Sequence, residues 1–252
     1  EVNTIRKQVS RVSGGRLANA ANADRVEVLV ISDVPGDRLE VIGSGPFAED
    51  HTGYREACDI LRRRDLWDSL PPGLQRYLEE GELVQDAEGK RLGGSVFQKV
   101  RHHVVASNED ALVAAVRCAT EDALRVVSLG AALYGEARVA GERIAAEVRS
   151  LASQEGDLRP VCFIGGGETT VTLRGAGKGG RNQELALAAA IALEGIPGIG
   201  LLAAGTDGID GVTDAAGAFV DGGTVARGEA LGLVAQEALD RNDSYGFFEQ
   251  EG

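Results

Sequence analysis

Residues 161–193, VCFIGGGETTVTLRGAGKGGRNQELALAAAIAL, decide how the chain is read. The first apolar run reads as a strand, TTVTLR as a second and more polar strand, and NQELALAAAIAL as a helix apolar enough to be buried. Between them lies GAGKGG, a turn almost without side chains. Such a turn lets the backbone N–H groups of Gly177, Gly179 and Gly180 approach a ligand closely, and Lys178 and Arg181 add positive charge beside them. Strands alternating with helices around a glycine turn point to α/β architecture.

The alternation extends in both directions. RVEVLVIS, residues 25–32, is β-branched and almost continuously apolar, as a strand buried on both faces should be, and it ends in the turn DVPGD. REACDILRRR reads as helical, LPPGLQ follows it, and QDAEGKRLGG reads as an exposed hairpin or connection. HHVVAS and RVVSL read as short buried strands flanking a helix that begins near NEDALVAAVRCA, with Asn108 placed to cap it. From residue 135 to about 153, Ala137, Ala140, Ile144, Val148 and Leu151 recur at helical spacing. SQEGDLRP breaks that pattern and marks a linker, dividing residues 1–154 from 155–252. Beyond the opening stretch come a strand in IGLLAAG, a loop in TDGIDGVTDAAGAFVDGG and two terminal helices. The expected fold is α/β with a mostly parallel sheet.

The chain has 252 residues, 43% of them apolar, enough for a large α/β domain or two smaller ones. A net charge of −13 and a pI near 4.8 argue against nucleic-acid or anionic-membrane partners, which need a basic face. Local cationic loops stand out against that background. Cys58, Cys118 and Cys162 lie far apart in apolar periodic segments and read as buried free thiols, which fits a reducing cytosol. No run has the length of a membrane span and no signal-peptide pattern opens the chain, so a cytoplasmic protein is expected. The chain opens EVNTIRKQVS and contains no methionine, as a fragment would. Composition leaves the oligomeric state open.

Taken literally, GAGKGG satisfies G-x-G-x-x-G after a strand and before a helix, which makes an NAD(P)H-dependent oxidoreductase a rival reading. The acidic residue that should follow is poorly matched, since Glu194 precedes the next strand and Asp207 comes late. A P-loop is excluded by spacing, because no Lys and hydroxyl pair follows the last glycine. Lys178 and Arg181 suit a more highly charged anion than a pyrophosphate held by backbone alone. In GTDGIDGVTDAAG, Asp207, Asp210 and Asp214 follow a strand, where open α/β sheets bind their ligands. Asp207 and Asp210 are candidate Mg²⁺ ligands, completed by water and substrate phosphates, while Asp214 reads as a cap. Asp33 and Asp37 end another strand, and Ser44 and Gly45 after them could offer donors to an anion. His51, His102 and His103 have no ligand spacing, and no G-x-S-x-G elbow supports hydrolysis.

In order, NTIRKQVSRVSGGRLA, ISDVPGDRLEVIGSGPF, SNEDAL, YGEARVA, GGGETTVTLRGAGKGGRNQELALA, GTDGIDGVTDAAGAFVDGGT and NDSYGFF resemble the type-2 glycerate kinase family, whose C-terminal part is called the MOFRL domain. The resemblance covers nearly the whole chain. It implies that residues 1–154 are part of a Rossmann-like N-terminal domain and 155–252 a smaller α/β MOFRL domain, with ATP- and Mg²⁺-dependent phosphorylation of D-glycerate to 2-phosphoglycerate. Some members carry the name hydroxypyruvate reductase, a second reason for the rival. By the family pattern, Arg6 and Lys7 are candidate substrate or phosphate contacts and Asp33 is a candidate base or metal ligand. By the same pattern Glu168 and Thr169 are candidate orienting groups, Gly166, Gly167, Asn182, Glu184 and Asn108 of SNEDAL are binding candidates, and Arg181, Lys178, Asp33 and Asp207 are the catalytic candidates. Arg181 is the strongest of these, because a guanidinium recognises carboxylate or phosphate bidentately. The family's N-terminal SGGGSA-type loop, its lysine and a C-terminal GPT-TNV-D segment have no counterpart in these residues. An inactive, truncated anion- or nucleotide-binding module is therefore a third reading.

Overall fold

The structure, a computed structural model, describes residues 1–88, 94–152 and 160–252. They fall into two compact units, Glu1–Ala111 and Leu112–Gly252. The expected linker lies almost wholly in residues 153–159, and the 154/155 boundary with it, outside the described residues.

The first unit contains α1 (Val2–Val9), α2 (Arg16–Ala20), β1 (Val26–Ser32), α3 (Tyr54–Arg63), α4 (Pro72–Glu88), β2 (Val100–Ser107) and the start of α5 (Asn108–Glu121). Its helical core is Cys58, Leu61 and Leu78, with Ile5, Trp67 and Leu74 packed against them. The helix α4 starts within LPPGLQ, which reads as a break, and takes in residues 85–88 of the stretch expected to be an exposed hairpin or connection, of which residues 89–93 lie outside the described residues. Pro72 starts it, because a first-turn residue needs no N–H partner and proline's φ is already helical. Gly81 sits inside α4 where a Cβ would stand 2.5 Å from the Tyr54 ring.

β1 and β2 pair in parallel, from Val26 opposite Val100 to Ser32 opposite Ser107. Neither is buried on both faces as expected: Val30 and Ser32 point inward, while Leu29 and Ile31 are 72% and 76% exposed, and Val104 and Val105 are exposed too. Among the described residues the sheet has two strands, and successive side chains alternate between a covered face and an open one. Ser107, not Asn108, caps α5. The Asp110 N–H donates to Ser107 Oγ at 3.2 Å and the Ser107 hydroxyl donates to Asp110 Oδ2 at 2.7 Å, which leaves Asn108 as the first helical residue.

In the second unit β3 (Arg125–Leu133) and β4 (Val161–Gly167) pair in parallel around α6 (Ala137–Ala152). RVVSL thus lies in a parallel strand, though β3 is half-buried at best. α7 (Arg181–Ala192) is the centre of the core, with residues 183–190 all buried against α6, the strand pair β5 (Gly200–Ala204) and β6 (Gly217–Asp221), and α8 (Thr224–Ala230). Leu187 and Leu193 are fully buried, each worth about 1.5–3 kcal/mol over exposure. The crossing of α6 and α7 needs Gly141, where a Cβ would lie 2.2 Å from the Leu185 carbonyl oxygen. α9 (Ala235–Asp240) and α10 (Ser244–Glu251) close the unit.

Three expectations are corrected here. TTVTLR is not a strand: Thr170 alone makes a bridge, to Glu136, and residues 171–180 run without regular structure. The end of the long acidic segment is not loop but β6, antiparallel to β5 with Gly200 opposite Asp221. The terminal helices number three rather than two. The α/β class stands, with parallel pairs β1–β2 and β3–β4, but the strands lie in separate two-stranded sheets.

Candidate active site

The glycine turn is bare because the chain's own residues 241–245 lie on it. The Gly177 N–H donates to the Arg241 carbonyl at 3.0 Å, the Lys178 N–H to Asp243 Oδ1 at 2.9 Å, and the Arg174 and Gly175 N–H groups to Asn242 Oδ1 at 2.6 and 3.0 Å. The Tyr245 N–H returns to the Lys178 carbonyl at 3.0 Å. Side chains at 175, 177 and 179 would collide with this segment, their Cβ atoms standing 2.3 Å from the Arg241 carbonyl oxygen, 2.4 Å from Asp243 Cβ and 2.4 Å from Ser244 Oγ.

The N-terminus of α7 is likewise occupied. Gly180 at its N-cap position has no side chain to offer, and Asp210 reaches in from the loop after β5 instead. Its carboxylate accepts the Asn182 N–H at 3.0 Å, the Gln183 N–H at 2.8 Å and the Asn182 side-chain amide at 3.1 Å. A Cβ on residue 180 would stand 2.3 Å from Asp210 Cγ, so the glycine admits the remote cap. Asp210, one of the two expected metal ligands, is 1% exposed and has both oxygens engaged by the start of α7. An anion at this helix end would have to displace a carboxylate already there.

Glu184 is also structural. It is 2% exposed, accepts from Arg138 Nε at 3.0 Å and from the Asn242 amide at 2.9 Å, and so cannot contact a ligand in this arrangement. This buried pair ties α6 and α7 to residue 242, and through it to the glycine turn. Asn182 spends its side chain on Asp210.

What remains open to solvent is a small set of charges. Arg181 projects from the first turn of α7 and pairs with Glu168, just beyond β4, each side chain about two-fifths exposed. Thr169 beside it is buried. Gly166 and Gly167 end β4, and a Cβ at 167 would clash with the Leu133 backbone at 2.3 Å, so that glycine serves strand packing. Asp207 is exposed beyond β5, its Oδ1 accepting the Ile209 N–H at 3.3 Å. A Cβ on Gly205 would touch both Asp207 Oδ1 and the Asn182 amide, at 2.8 and 3.4 Å, so Asp207 stands beside the start of α7. Lys178 is exposed, its ammonium 3.9 Å from the centre of the Tyr245 ring. Among the described residues no group of three or more His, Cys, Asp or Glu side chains could hold a metal.

The first-unit candidates divide in the same way. Lys7 is buried, 3.1 Å from Asp50, whose carboxyl is held below the usual range: burial pushes it up, and the Thr52 hydroxyl and N–H with Lys7 more than offset that. Ser44 is buried, its hydroxyl donating to Asn3 Oδ1 at 3.2 Å, and the Gly45 carbonyl accepts the Gly15 N–H at 2.8 Å. These three build the unit. Arg6 and Asp33 are exposed, and Asn108 is half-buried at the start of α5.

A model of a domain of unknown function, DUF4147, matches residues 1–79, and the MOFRL family model matches residues 161–252. A glycerate kinase of Macaca fascicularis is 36% identical over 98% of this chain and 72% of its own length. The chain belongs to the glycerate kinase family. A D-glycerate 2-kinase of Thermotoga maritima is 39% identical over 100% of this chain and 58% of its own. The crystal structure of the glycerate kinase of that organism superposes with a TM-score of 0.76 at 37% identity, covering 100% of this chain and 58% of that one. A family member of Agrobacterium vitis, 42% identical over 98% of this chain and 63% of its own, is provisionally named a hydroxypyruvate reductase. The chain thus spans a little over half the length of several relatives. No helix among the described residues is long and apolar enough to cross a membrane.

Proposed function

We propose that the protein is a glycerate 2-kinase, transferring a phosphoryl group from ATP to the 2-hydroxyl of D-glycerate with Mg²⁺ and giving 2-phosphoglycerate. The observation that carries the reading is the half-buried pair Arg181 and Glu168 with the exposed Asp207, at the first turn of α7 and the ends of β4 and β5, and the exposed Lys178 on the adjoining turn, in a chain of this family. Phosphoryl transfer asks for positioning and for positive charge against the transferring group. Arg181 is already paired with a carboxylate, the geometry in which it would take the substrate's carboxylate or a phosphate from Glu168. Lys178 supplies a second point charge. Asp207 alone of the two expected ligands has a free carboxylate edge, which fits a Mg²⁺ ion that keeps water and substrate phosphates as its other ligands. An ion held by Asp207 would supply positive charge against the phosphates. Arg6 is a further contact for substrate and Asp33 the candidate base, each exposed in the first unit. The acidic surface suits a cytoplasmic protein with small-molecule substrates and no nucleic-acid partner.

The reductase reading is favoured by a relative's name and opposed by the glycine turn, whose N–H groups at 174, 175, 177 and 178 are engaged within the chain instead of facing a pyrophosphate. Paired assays separate the two. ADP release from Mg-ATP and D-glycerate that collapses in R181A, with flat nicotinamide absorbance, supports the kinase. Loss of NAD(P)H with hydroxypyruvate and no ADP release overturns it.

A further inference from the structure

Tyr245 touches the glycine turn twice and the acidic loop once. Its N–H donates to the Lys178 carbonyl at 3.0 Å, its ring lies 3.9 Å under the Lys178 ammonium, and its hydroxyl donates to Asp214 Oδ1 at 2.8 Å. Lysine has a flexible four-carbon stem that loses considerable freedom when its head is localised. On an exposed turn of glycines and alanine the ring is the contact made by this head, and the charge of Lys178 also helps to lower the nearby Asp214 carboxyl. The ring itself is anchored, because the hydroxyl is fixed on Asp214. That bond, with the neighbouring Glu249, pushes the phenol up to about 12 and holds the Asp214 carboxyl below its ordinary range, as a bond kept by both partners should.

We propose that Tyr245 is a positioning residue of the glycerate kinase site: its ring, tethered through its hydroxyl to Asp214, holds the Lys178 ammonium where the anionic substrate is bound. The inference rests on the kinase reading for the identity of that substrate, while the contact between ring and ammonium is independent of it. Asp214 then has a role that neither a cap nor a metal ligand describes. Asn242 and Asp243 fix the backbone of the turn, and Tyr245 adds control of its one cationic head.

The test compares Y245F, Y245L, K178M and the Y245L/K178M pair with the wild type. The chain has four lysines, Lys7, Lys90, Lys99 and Lys178, so the εCH₂ signal of Lys178 can be assigned by its absence in K178M. An ammonium over an aromatic face places that methylene in the ring current. The expected result is an upfield Lys178 signal in the wild type and Y245F and its return to the free-lysine position in Y245L. In ADP release, Y245L loses roughly 2- to 5-fold in kcat/KM, the size of an exposed cation–π contact, Y245F keeps more of it, and the pair is no worse than K178M alone. A Lys178 signal at the free-lysine position in the wild type overturns the inference whatever the activity. So does an additive loss in the pair, which would mean that the ring acts through folding alone, and so does K178M with wild-type kinetics. If the wild type releases no ADP, the kinase reading fails, and the spectrum still decides whether the ring holds the ammonium.

Discussion

Replacing Asp210 by alanine removes three hydrogen bonds from the start of α7 and leaves the backbone bonds of the loop in place. The Gln183 N–H then lies in a residue that is 1% exposed, without a partner, at about 1–3 kcal/mol. The Asn182 N–H is less buried and can turn to water. Loss of a carboxylate at the positive end of the helix adds about 0.3–1 kcal/mol. The sum, about 1–4 kcal/mol, corresponds to a fall in melting temperature of roughly 3–15 °C for a unit of this size. D210N should lose nearly as much, because its amide nitrogen would face a donor. Thermal melts by circular dichroism with chelator present check the figure. A D210A protein that melts within about 1 °C of the wild type in chelator, and differs only when Mg²⁺ is added, would refute the capping role and restore Asp210 as a metal ligand.

Breaking the buried pair by E184A strands Arg138 and Asn242, and should cost about 3–5 kcal/mol in denaturant melts, while R138M/E184L recovers most of it. G177A puts a methyl group into Asp243 and should lower stability by about 1–3 kcal/mol, with faster proteolysis in the glycine turn. Because the phenol of Tyr245 is raised in the folded state, its contribution is complete below the ordinary tyrosine value of about 10 and is lost as the pH rises through about 12. Ultraviolet difference titration of wild type against Y245F should show one tyrosine ionising near 12. A difference spectrum that titrates near 10 contradicts the tether.

The central helix and the strand that opens 161–193 are readable from periodicity, since α7 is apolar on every side and lies in the core. Position after a strand likewise picks out Asp207. The partners of the glycine turn are not readable in this way. Local signatures assign Asn242 and Asp243 to the start of α10, yet the Asp243 side chain makes no bond to its own helix and turns to Lys178 instead. Asp210 caps a helix remote in sequence, and cap patterns are read only from adjacent residues. Glu184 beside Asn182 looks like a ligand group because burial is invisible until α6 supplies Arg138. The helix α4 is hidden by prolines and glycines that ordinarily break helices, and its first-turn proline does the opposite.

The kinase account is tested most directly by ³¹P NMR of Mg-ATP and D-glycerate incubated with the wild-type protein and with R181A. The account predicts a phosphomonoester at the 2-position of glycerate, formed stoichiometrically with ADP by the wild type and lost in R181A, whose melting temperature stays near wild type because the partly solvated Arg181–Glu168 pair adds little to stability. Unchanged ATP with a wild-type protein that oxidises NAD(P)H on hydroxypyruvate, or equal phosphorylation by R181A, would contradict it.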